Sequence, residues 1–230
     1  MKRIIKNKKG AIIFEGNNLR NADFQKANCK DANFQEANCW SANFKEAICR
    51  NADFQKAICA NANFQGSVCR SANFEKAYSW NANFQESHCW HVNFKESNCI
   101  KSNFKDADCS EADFNGANCW SANFEGANCW NANFKEAICA SANFGKADLR
   151  GVNFNKTNLL YTNLKDIITD TPIIQINGSK HHVIKWKDQI QIGCIIEQKD
   201  WWLENYKKIM RKHNYTQKQI KEYYKYIIGG

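Results

Sequence analysis

Apolar residues recur along most of this chain with a period of five. Phenylalanine stands at every tenth position from Phe14 to Phe154 without a gap. Midway between lie Cys29, Cys39, Cys49, Cys59, Cys69, Cys89, Cys99, Cys109, Cys119, Cys129 and Cys139, with Ser79 as an exception and Leu19, Leu149 and Leu159 toward the ends. Two residues before each centre sits a small side chain; of the 29 such positions from Ala22 to Thr162, 21 are Ala. The residue preceding each Phe, from Asp23 to Asn153, is always Asn or Asp. A period of five matches neither the 3.6-residue helix nor the two-residue strand. It matches a chain that turns a corner every five residues.

The units Ala22-Asp23-Phe24-Gln25-Lys26 and Ala27-Asn28-Cys29-Lys30-Asp31 resemble the A-(D/N)-(L/F)-x-x unit of the pentapeptide-repeat family, over about two thirds of the chain. The resemblance implies a mainly β fold, a right-handed quadrilateral β-helix with four units per coil. Each coil then holds two Phe on opposite faces and two Cys on the others. A tube of fixed bore needs a constant core volume, and large-small alternation supplies it. The centres from Phe14 to Leu164 make 31 units, nearly eight coils. At the inter-strand spacing the rod is roughly 35 to 40 Å long.

Three segments follow. Residues 1–12 read as a basic N-terminal arm or cap, 13–165 as the β-helix, and 166–230 as a small C-terminal α+β element. In the last, Ile173-Ile174-Gln175-Ile176, His182-Val183-Ile184-Lys185-Trp186 and Ile190-Gln191-Ile192 read as strands, with turns at Asn177-Gly178 and Lys187-Asp188. A helix is expected over 198–213, with an apolar stripe of Trp201, Trp202, Leu203, Tyr206 and Ile209. Thr216 and Gln219 form a capping box that opens a second helix carrying Ile220, Tyr223, Tyr224 and Ile227. Solenoids need their open ends covered, and this element is expected to cover the C-terminal edge.

Twelve cysteines would suggest a disulfide scaffold, but eleven of them recur at multiples of ten residues, which marks a repeat position. Reduced Cys is a small buried hydrophobe. With no secretory signal and no apolar run long enough to span a membrane, the expected setting is the cytoplasm. The net charge of +9 is uneven. Residues 1–10 carry five basic side chains and no acidic ones, residues 11–165 carry 16 of each sign, and residues 166–230 carry 11 basic and 7 acidic. The rod is neutral and its ends are basic.

Function in a solenoid lies in its outward residues. The two Phe faces are polar and mixed in charge, with no signal beyond solubility. The Cys39 face is different: Trp40, Ala60, Trp80, Ile100, Trp120, Ala140 and Leu160 follow its centres, and Ile58, Tyr78 and Ile138 precede them. A contiguous exposed apolar strip marks an interface, and Trp is a preferred anchor. The plainer reading is Trp packed over neighbouring Ala. The Cys29 face carries Lys30, Arg50, Arg70, Trp90, Ser110, Trp130 and Arg150. Aromatic and basic residues together suit nucleic acid or nucleotides, although a solvated face with incidental Trp is preferred. Trp201, Trp202, Tyr206, Tyr223 and Tyr224 form a third candidate surface, for association through the tail.

No catalytic constellation or phosphate-cradling Gly loop is present, and no cofactor is expected. His181, His182, Cys194 and His213 match no trusted zinc spacing, and His88 and His91 are isolated. The resemblance implies a non-enzymatic protein. The family's best characterised members shield DNA gyrase or topoisomerase by mimicking DNA, which needs an acidic surface that this neutral rod lacks. The expected function is binding of a protein partner, or a homodimer, through the Trp/Ile stripe. Nucleic-acid or nucleotide binding is the first alternative and topoisomerase modulation the second. The Lys-, Asn- and Ile-rich composition suits an AT-rich bacterial or phage genome, where an inhibitor of a host target would fit.

Overall fold

A computed structural model of the chain describes residues 3–6, 12–16, 18–164, 166–170, 173–177, 180, 182–186, 189–192 and 195–228. It divides into two compact units, residues 1–168 and 169–230.

The first unit is the right-handed quadrilateral β-helix. The residue before each centre pairs in parallel with the one twenty positions later, in an unbroken series from Asp23↔Asn43 to Asp148↔Ile168. The coil therefore continues to Ile168, three residues beyond the boundary expected from sequence. Ile168 still bridges Asp148 there, and its carbonyl accepts from the N–H of Leu149. At the N-terminus, β1 (Arg3–Lys6) pairs antiparallel with β2 (Ile12–Gly16). Lys2, Lys8 and Lys9 of the expected basic arm lie outside the described residues.

One unit shows why five residues suffice. The Ala42 N–H closes a turn onto Cys39 O at 3.0 Å. Asn43 N–H reaches back one coil to Ala22 O at 2.9 Å, while Phe44 and Glu46 donate forward to Asn63 O and Gln65 O at 2.6 and 2.8 Å. The remaining N–H, on Lys45, donates to the Asn43 Oδ1 at 3.2 Å. Every backbone donor of the unit is thus satisfied. The invariant Asn or Asp before each Phe is needed because its carboxamide or carboxylate oxygen caps the N–H two residues on, an Asx turn.

Each corner turns on a residue of positive φ. Every fifth residue from Asn21 to Asp166 lies between 53° and 70°. Only Gly66, Gly116, Gly126 and Gly151 are glycines. The left-handed backbone costs an L-residue on the order of 1 kcal/mol, and the inter-coil hydrogen bonds offset it at each corner.

The bore is filled as the alternation demands. Rings in the Phe24 column stack on one another at 4.7–4.9 Å up to Phe144. They meet the Phe34 column edge-on at 5.3–5.5 Å. Both geometries suit the ring quadrupole. The eleven repeat cysteines are free thiols and fully buried. Burial pushes the thiols of Cys59 and Cys89 well above their usual pKa. For Cys49, Cys99, Cys109 and Cys119 the hydrogen bond to a neighbouring thiol comes first and burial adds to it.

The second unit is a four-stranded antiparallel meander with two helices: β3 (Ile173–Asn177), β4 (His182–Trp186), β5 (Gln189–Ile192), β6 (Ile195–Gln198), α1 (Lys199–Lys212) and α2 (Gln217–Ile228). Strand β6 is unforeseen; its short run abuts the helix and offers no alternation of its own. The expected turn residues Gly178, Lys187 and Asp188 fall outside the described residues. The capping box forms as read, with Thr216 N–H donating to Gln219 Oε1 at 2.8 Å and Gln219 N–H to Thr216 Oγ1 at 3.2 Å. Val183, Ile190 and Ile192 pack against Trp202, Tyr206, Met210, Ile220, Tyr223 and Ile227.

Candidate binding faces of the β-helix

The four outward faces differ in how their side chains are used. On the Phe24 face, each Asn Nδ2 donates to the Oδ1 one coil earlier, from Asn43→Asp23 to Asn163→Asn143, at 2.7–3.4 Å. The same oxygens cap the turns, so this column is a structural ladder. Its signal was the invariant Asn/Asp position, read from sequence only as solubility. Exposed ion pairs link successive corners beside the two Phe faces, Lys26–Glu46 next to the Phe24 column and Lys76–Glu96 and Lys156–Glu136 next to the Phe34 column, each at 3.5 Å. Charge on these faces is interleaved and presents no continuous acidic surface.

On the Cys39 face the apolar residues differ in exposure along the rod. Trp40 and Trp80 are half-buried and meet edge to face at 5.0 Å. Ala60, in the coil between them, is fully buried. This end follows the plainer reading of Trp over Ala, and Ile100 is also half-buried. The remainder stays open: Tyr78 is 53% exposed, Trp120 43%, Ile138 42% and Ile58 36%. Arg20 lies over Trp40 and Lys101 over Trp120, at 5.4 and 5.7 Å from the ring centroids.

On the Cys29 face Lys30, Arg50, Arg70, Trp130 and Arg150 are exposed and Trp90 is half-buried. The Arg70 guanidinium lies 4.0 Å from the Trp90 ring centroid, one coil on. Arg50, Val68, Arg70, His88 and Trp90 line an open cleft of about 450 Å³ that ends at Asp108 and Ser110. Arg150 stands apart, forked onto Asp148 at 2.6–3.2 Å, and that hydrogen bonding holds the Asp148 carboxyl below its usual pKa. Trp130 and Arg150 do not reach the cleft.

The tail candidates are mostly interior. Trp202, Tyr206 and Tyr223 are buried in the second unit's own core, and Trp202 Nε1 donates to Ile190 O at 2.8 Å. These three correct the expectation of a tail association surface, because a stripe packed on its own sheet is not available to a partner. Tyr224 stays exposed, stacked on Tyr206 at 4.9 Å, and Trp201 is half-buried. Among the described residues no group of His, Cys, Asp and Glu is placed to hold a metal ion. His181 and Cys194 lie outside them, and His213 is exposed at the end of α1. No helix among the described residues is long and apolar enough to cross a membrane.

Comparison with known proteins agrees with this geometry. A family model described as pentapeptide repeats matches in eight copies, over residues 13–48, 32–68, 47–78, 62–98, 102–138 and 132–168. No curated protein sequence matches the chain significantly. Among solved structures, a trypsin-treated form of QnrB1, a plasmid-mediated fluoroquinolone resistance protein, is 21% identical over 65% of this chain and 78% of its own, with a TM-score of 0.54. HetL, a pentapeptide repeat protein involved in heterocyst differentiation regulation in the cyanobacterium Nostoc sp. strain PCC 7120, is 19% identical over 65% of this chain and 85% of its own, with a TM-score of 0.42. Rfr23 from the cyanobacterium Cyanothece 51142 is 31% identical over 43% of this chain and 60% of its own, with a TM-score of 0.30. The likeness to QnrB1 carries the fold. With the repeat units matched over most of the β-helix, the chain belongs to the pentapeptide repeat family.

Proposed function

We propose that the protein is a non-enzymatic binding protein whose β-helix docks a protein partner through the Cys39 face, a second copy of the chain being the first partner to test. The observation that supports this is the open apolar run at Ile58, Tyr78, Trp120, Ile138 and Leu160, each at least 36% exposed on one side of a rigid rod. From Trp40 to Leu160 the stripe spans six coil steps, roughly 30 Å at the inter-strand spacing. A strip of that length beside polar faces has the character of an interface. The eleven buried free thiols favour a reducing compartment, and with it the cytoplasm.

Replacing Ile58 and Ile138 by Asn tests the reading without weakening the rod, because Asn at these positions caps the following turn as it does in neighbouring coils. Sedimentation velocity of the wild type is expected to show concentration-dependent association that Ile58→Asn with Ile138→Asn abolishes, while the melting temperature holds. A wild-type chain that stays monomeric, and whose captured protein partners are unchanged in the double variant, would remove the stripe as an interface.

A further inference from the structure

We propose that the cleft formed by Arg50, Arg70 and Trp90 binds a small phosphate ester. The first support is a gap in the backbone capping. At every described unit of the two Phe faces the N–H after the centre is capped by the Asn or Asp two residues earlier, as at Gln55 and Glu75. On the Cys29 face, Ile48, Val68 and His88 occupy the capping position in three successive coils. Among the described residues no backbone or side-chain oxygen accepts from the N–H groups of Arg50, Arg70 and Trp90. Capping resumes at Ser110, whose N–H donates to Asp108 Oδ1 at 3.2 Å. Three uncapped donors are therefore stacked along one wall, about 4.8 Å apart at the inter-strand spacing.

The second support is charge. The Arg50 and Arg70 side chains reach the same cleft, and among the described residues neither has a carboxylate within salt-bridge distance, unlike Arg150. Stacking on Trp90 holds the Arg70 guanidinium in place through its face and leaves its N–H donors unconsumed. Uncapped N–H groups beside two guanidiniums form an anion site, and a group with three or more acceptor oxygens uses it better than a carboxylate. The Cys39 face also has uncapped N–H groups, at Ala60, Trp80 and Ala140, but there the capping positions hold the exposed apolar side chains Ile58, Tyr78 and Ile138 and no arginine follows.

The remainder of the ligand faces the far end. Asp108 Oδ1 already accepts from Ser110 Oγ at 2.6 Å and from Asn128 Nδ2 at 3.0 Å. Its negative charge keeps the phosphate at the arginine end and offers an acceptor to hydroxyl groups. A volume of about 450 Å³ suits a small molecule.

Isothermal titration of the full chain with inorganic phosphate and with AMP tests the site. Both probes are expected to bind, AMP more tightly. Arg50→Gln with Arg70→Gln is expected to weaken AMP at least about tenfold. Val68→Asn with His88→Asn restores the Asx caps, so it is expected to weaken AMP by a similar factor while leaving the melting temperature equal or higher. Lys135→Gln, on a Phe face, is the control. Absence of heat from both probes at millimolar concentration overturns the proposal. So does AMP binding that survives both double variants, or a response confined to oligonucleotides and indifferent to them.

Discussion

Trp40 and Trp80 are forty residues apart in sequence and two coils apart in space, yet their rings meet edge to face at 5.0 Å. They close over Ala60, which has no exposed surface. An Ala at the intervening coil leaves room for the two indoles to lean together, so one end of the apolar stripe shelters itself. The Trp120 end, with Ala140 and Leu160 after it, stays more open.

A double-mutant cycle on Trp40→Ala and Trp80→Ala is expected to return a coupling of about 1 kcal/mol in denaturant unfolding, the size of an edge-to-face aromatic contact. A cycle on Trp80 and Trp120, which share no ring contact among those described, is expected to be additive. Additivity in the first pair would show that the rings do not hold each other.

The Asn ladder predicts an order of variants. Asn83 caps Gln85 N–H at 3.1 Å, donates to Asn63 and accepts from Asn103. Asn83→Ala removes all three bonds and is expected to cost about 1–3 kcal/mol in chemical unfolding. Asn83→Asp keeps both acceptor roles and loses only the donation to Asn63, so its cost is expected to be the smaller. Equal losses would contradict the ladder.

Ser79 interrupts a thiol column, and its Oγ is the one buried side-chain polar atom among the described residues without a hydrogen-bond partner. Ser79→Cys restores the column and removes the unsatisfied hydroxyl. The expected gain is about 1 kcal/mol, read as a higher denaturant midpoint.

The thiols give a pH dependence. Folded-state pKa values of Cys59 and Cys89 lie well above the ordinary value because burial disfavours the thiolate. Unfolded thiols ionise near pH ~8.5. The folded state therefore holds protons that the unfolded chain releases, and stability is full below that pH and falls as pH rises through the alkaline range. Unfolding curves from neutral to alkaline pH are expected to show this decline, and Cys59→Val with Cys89→Val to make it shallower. The eleven buried repeat thiols are expected to resist thiol reagents until the protein unfolds.

Much of the fold was legible because a five-residue period has one economical solution. The Phe centres, the Ala corners and the Asn/Asp position each report a constraint that repeats at every coil. The invariance of the Asn/Asp position was visible, but its purpose was not, because the donor it caps and the partner it bonds lie two and twenty residues away. The uncapped N–H groups of Arg50, Arg70 and Trp90 were likewise hidden until that rule was known. In the tail, the helices and the Thr216–Gln219 box were readable, while the fate of Trp202 and Tyr223 was not. An apolar helical stripe has the same sequence whether it faces its own sheet or another protein.

By itself, then, the sequence determined the coil: its period, its Phe and Cys columns, its zero net charge and the tail's main elements. Those follow from local spacing and from a bore of constant volume. Only the tertiary structure decided which outward residues act together. Neighbours on a face come from positions twenty or forty residues apart, and the lean of each side chain depends on the size of the residue stacked beside it. That packing brought Trp40 to Trp80, set Arg70 on Trp90 and placed both arginines at an uncapped stretch of backbone.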